Sequence, residues 1–112
     1  MIVSLEDAVS LLSKWEADET PVSALILADG FWFSLAGFIT VRSPSFVNIV
    51  HLTPQAQKLG EFEIALPSVV RFVYRDVREA KESIRERIEG HIASSLMMQL
   101  PQAECTIYEL VP

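Results

Sequence analysis

Between residues 31 and 41 the apolar side chains fall on alternate positions: Phe31, Phe33, Leu35, Ile39 and Val41 form one row, with Gly37 as its gap, while Ser34, Thr40 and then Arg42 fall on the other side. A period of two belongs to a strand with one buried face, and a helix does not reproduce it. The row commits the middle of the chain to sheet. Just before it stands Asp29-Gly30, a pair suited to the positive φ that a type I′ hairpin turn needs at both central positions. The apolar run at residues 22–27 is therefore expected to pair antiparallel with the row. Gly37, inside so long a strand, predicts a bend that carries the chain from one side of a barrel to another.

The pattern continues beyond Ser43-Pro44-Ser45. Residues 46–52 set Phe46, Asn48, Val50 and Leu52 opposite Val47, Ile49 and His51. After a polar loop at 53–60, Phe62, Ile64 and Leu66 alternate with Glu61, Glu63 and Ala65. Pro67-Ser68 breaks that strand, and 69–75 resumes with Val70, Phe72 and Tyr74 opposite Val69, Arg71, Val73 and Arg75. Helical spacing flanks the strands on both sides. Leu5, Ala8, Val9, Leu12 and Trp15 share one face, with Ser4 placed as the N-cap, Asp7 three residues on, and Thr20-Pro21 closing the segment. Val77, Ala80, Ile84, Ile88 and Ile92 predict a second, long helix, capped by Asp76, weakened at Gly90 and stopped before Pro101. A last strand at 106–111 is expected at an edge. The predicted fold is α+β: an N-terminal helix, a five-stranded strongly bent antiparallel sheet or small SH3-like barrel, a long C-terminal helix and a final edge strand. At 112 residues, half of them apolar, the chain suits a single domain spanning 1–112.

Charge narrows the partners. Nine basic residues against fifteen acidic ones give a net charge of -6, and residues 1–21 carry Lys14 against Glu6, Asp7, Glu16, Asp18 and Glu19. Without a Lys/Arg cluster, binding to a phosphate backbone is disfavoured. The start has neither a basic nor an apolar leader region, and the most apolar stretch is too short for a membrane helix. With Cys105 alone there is no intrachain disulfide, which fits a reducing, cytoplasmic setting. His51 and His91 are far apart in sequence, and the serines sit in caps, turns and strands, so no catalytic, metal-binding or cofactor-binding residues emerge.

The order of helix, strands, Asp-Gly hairpin and glycine-bearing second strand over about residues 4–75 resembles the Sm-like small β-barrel family. Phe46-Val47-Asn48-Ile49-Val50 is similar to the end of that family's first motif. The resemblance implies an RNA contact through Asn48. The second motif is not matched, since Pro67-Ser68 stands where Arg-Gly would be.

Four residues are the candidates for contact with a ligand or partner: Asn48 by that resemblance, Trp32 beside the hairpin turn on the face opposite the apolar row, and Met97 and Met98, whose flexible thioethers suit adaptable contacts. The leading expectation is a noncatalytic interaction module that forms a homo-oligomer, a dimer above all, or binds a protein partner. RNA binding through Asn48 and a small ligand-binding enzyme using His51 are the alternatives.

Overall fold

A computed structural model describes residues 1–43, 46–52, 55, 57–76 and 92–110. Their single α-helix, α1 (Leu5–Ala17), begins as its sequence dictates: the Ser4 hydroxyl accepts from the Asp7 backbone N–H at 3.1 Å. Its end is set one step earlier than Pro21. Glu19 adopts φ +51°, and the N–H groups of Glu19 and Thr20 reach back to the carbonyls of Glu16 and Trp15 at 3.1 and 2.9 Å. This is a Schellman termination with glutamate at the position that glycine usually fills.

Eight strands follow the alternating segments: β1 (Ile2–Val3), β2 (Pro21–Ala28), β3 (Phe31–Ser43), β4 (Phe46–Leu52), β5 (Lys58–Ala65), β6 (Arg71–Asp76), β7 (Ile92–Gln99) and β8 (Ala103–Leu110). They form one open antiparallel sheet in the order β1-β6-β7-β8-β2-β3-β4-β5. On its core face Val22, Ala24 and Ile26 of β2, Ile39 of β3, Val47 and Ile49 of β4, Ile64 of β5, Phe72 of β6, Leu96 and Met98 of β7, and Cys105 and Ile107 of β8 form one buried cluster with Ala8, Leu12 and Trp15 of α1. The helix packs chiefly over β3, where Glu16 Oε2 accepts from the Val41 N–H at 2.8 Å, beyond the point at which β2 begins.

Three expectations are corrected. The sheet has eight strands and open ends, in place of a five-stranded barrel. The long C-terminal helix is not formed as expected: Ile92, the last residue of its apolar stripe, opens strand β7, whose Ser94, Leu96 and Met98 turn to the core while Ser95, Met97 and Gln99 turn away. Its expected portion at 77–91 lies outside the described residues. The final strand is central, because β8 pairs with β2 on one side and β7 on the other. The physical reason is shared. An inward row of Cys105 and Ile107 meets Ala24 and Ile26 on one flank and Leu96 and Met98 on the other, so both edges of β8 are satisfied by apolar neighbours of matching parity. At Gly37 the pairing with β2 runs on without a break, and the irregularity of β3 comes later, between Val41 and Ser43 against β4.

Candidate interaction surface

The β2–β3 hairpin is closed by Asp29-Gly30, with Ala28 opposite Phe31. Gly30 has φ +84° while Asp29 is not in the positive region, so the turn is not the expected type I′; positive φ at the second central residue alone is the pattern of type II. Beyond the turn the hairpin carries large apolar side chains on both faces. Leu27 and Trp32 face each other across the strands on the outer face, 43% and 69% exposed. On the core face the Phe31 and Phe33 rings stack with centroids 6.2 Å apart, and Phe33 and Phe62 meet at an interplanar angle of 81° with centroids 5.8 Å apart. Phe31 and Phe33 nevertheless remain 57% and 39% exposed.

The β3 strand continues toward the turn past the described pairing with β4, which starts at Phe38 opposite Val50. Residues 31–35 therefore have β2 as their only described strand neighbour. Trp32, singled out from sequence, is thus exposed. Phe31 and Phe33 belong to the row that the alternation assigns to a buried face, and nothing in that alternation marks them as exposed.

Asn48 lies elsewhere, on the outer face of β4 between Thr40 and Glu63. It is fully buried; its Nδ2 donates to Glu61 Oε1 at 2.8 Å, while Oδ1 has no partner. A carboxylate only accepts, so Glu61 fixes which end of the amide faces it. Glu61 is in turn bonded by Lys58 and by Arg42 at 3.3 Å. The hydrogen bond from Lys58, followed by the charges of Arg42 and Lys58, holds the Glu61 carboxyl below its ordinary value against the opposing effect of desolvation.

The two methionines part company on β7. Met98 is buried in the core opposite Cys105, while Met97 is half-buried on the other face opposite Thr106. Burial pushes the Cys105 thiol up to about 12, so it stays protonated at neutral pH. His51 lies in β4, and His91 falls outside the described residues. Among the described residues no three His, Cys, Asp or Glu side chains are grouped to hold a metal ion, and no helix is long and apolar enough to cross a membrane. An open cleft of about 480 Å³ between Val70, Arg71, Gln99, Leu100 and Pro101 has Arg71 as its one charged side chain, bonded to Gln99 Oε1 at 3.2 Å.

No protein-family model matches the chain, and neither a curated protein nor a solved structure is significantly similar to it.

Proposed function

We propose that this chain is a noncatalytic interaction module, self-associating or binding a protein partner, and that its contact surface is the apolar end of the β2–β3 hairpin. The observation that carries this reading is the exposure of four large apolar side chains at one end of a paired, regular hairpin, Leu27 and Trp32 on its outer face and Phe31 and Phe33 on the other. Scattered exposed apolar residues are ordinary, but a hairpin end that presents Trp and Phe on both faces has the composition of the centre of a protein interface. Rigid aromatic rings bury much area on contact at small entropic cost, which is why such residues anchor complexes.

The test is a photo-crosslinking residue, benzoylphenylalanine, placed at Trp32 and, as a control, at Ser10 on the exposed side of α1. Position 32 is expected to give adducts of defined mass in cells, and position 10 to give none. Equal yields at the two positions would overturn the reading. RNA binding through Asn48 is tested beside it: with a net charge of -6 and the Asn48 amide donated to Glu61, no shift of labelled oligo-U is expected at physiological salt. Binding that weakens steeply as salt rises would move the function to that alternative.

A further inference from the structure

We infer that the occupant of this surface is a second copy of the chain, its sheet laid face to face on the outer side of β3, β2 and β8 across a twofold axis that crosses those strands at Ser34, Leu25 and Thr106. The inference rests on the reading of the hairpin end as the contact surface, and it uses the outer face of that end alone.

Three rungs of the sheet carry it. The registers set Trp32, Leu27 and Glu104 side by side on the outer face, then Ser34, Leu25 and Thr106, then Ala36, Ser23 and Tyr108. Along β3 and β2 the first rung is large and exposed, while the third is small. A twofold axis lying along the middle rung reverses the strand direction and keeps each strand over its own copy. It brings Trp32 and Leu27 of one chain over Ala36 and Ser23 of the other, so that large side chains enter a trough of small ones on both sides of the axis. Glu104, the one charged side chain of the nine, comes over the phenol of Tyr108 in the second copy, whose O–H can donate to the carboxylate. Each contact occurs twice by symmetry, as an isologous interface requires. The two sets of strands remain aligned, which is a common way for sheets to pack, about 10 Å apart.

Charge selects the copy as occupant. Residues 20–41 contain one charged side chain, Asp29 at the turn, in a chain of net charge -6. Unlike partners select one another largely through complementary charge, and β2 and β3 present none on this face. Two copies repel wherever their acidic residues meet, and these strands bring none together. An uncharged centre of this kind is the composition of homodimer interfaces, which are more apolar than those between separate proteins.

Light scattering after size exclusion at micromolar concentration should give twice 12.6 kDa, about 25 kDa. Because Ser34 meets its own image at the axis, Ser34→Lys sets two cations against each other and Ser34→Glu two anions. Each alone should be a monomer with the wild-type circular-dichroism spectrum, and an equimolar mixture of the two should recover the dimer. Fluorescence gives a second measure. Trp15 is buried and Trp32 exposed in the single chain, so diluting the wild type should shift emission to the red and raise iodide quenching at the concentration where the mass falls. A wild-type monomer across a hundredfold concentration range, a dimer that persists in Ser34→Lys, or a mixture that stays monomeric overturns the inference. Adducts from position 32 to a different protein, with the chain itself monomeric, would overturn it while leaving the interaction module standing. A monomer in which iodide fails to quench Trp32 would overturn both.

Discussion

Gly30 isolates a backbone effect from a packing effect. A Cβ built there would meet no heavy atom within 4 Å, so the constraint on the residue is its φ of +84° alone. Gly30→Val should therefore cost at least about 1–2 kcal/mol of stability, the expense of a left-handed L-residue, while Gly30→Asn should cost less. Equal urea midpoints for wild type and the valine variant would refute the turn assignment. Glu61 makes a second residue-scale prediction through its depressed pKa. A carboxyl more acidic when folded than when unfolded contributes stability that is present above the unfolded value and is lost as pH falls through the folded one. The contribution should begin to fade as pH falls below about 4.5 and be gone below the lower folded value, and Glu61→Gln should flatten that part of the acid limb of a stability-versus-pH curve. An acid limb unchanged by the substitution would show that Lys58 and Arg42 do not act on the carboxylate in solution.

Helix α1 shows what an element reveals before folding and what it conceals. Its face and its N-cap were legible because both depend on neighbours three and four residues apart. Its C-terminus was not, since nothing local announces a glutamate at φ +51°. Glu19→Gly should relieve that conformation and stabilise the protein by about 1 kcal/mol, read as a rise in melting temperature. A fall would mean that the glutamate side chain contributes something its backbone conceals. The strands repeat the lesson. Residues 46–52 were placed with their final bounds and 31–41 nearly so, because alternation is written in the chain. The run 92–99 was lost to helix because its alternation, small polar Ser94 against Ser95 and Met97 against Met98, is weak in polarity and becomes decisive only beside Phe72 and Cys105. At the candidate surface, Trp32 was recognised by parity. The exposure of Phe31 and Phe33 is not written in their alternation, which sets them on the core face with Leu35 and Ile39.

For the molecule as a whole, strand order governs stability. Ending the chain after Pro101 removes β8 and leaves β2 and β7 without the neighbour that joins them, splitting the core between Ala24 and Leu96. Such a truncation should abolish cooperative unfolding and give insoluble protein; a soluble product with a sharp melting transition would contradict this topology. The same strand has a consequence for biosynthesis. A ribosome delivers β2 and β3 early and β8 after every strand it must pair with, so a nascent chain holds the apolar edges of β2 and β7 open until residues 103–110 have left the exit tunnel. Until then the hairpin bearing Phe31, Trp32 and Phe33 is exposed beside those edges, and neighbouring chains on one polysome present the same surface to one another. The cell must either complete each chain quickly or shield it with a chaperone that binds extended apolar segments.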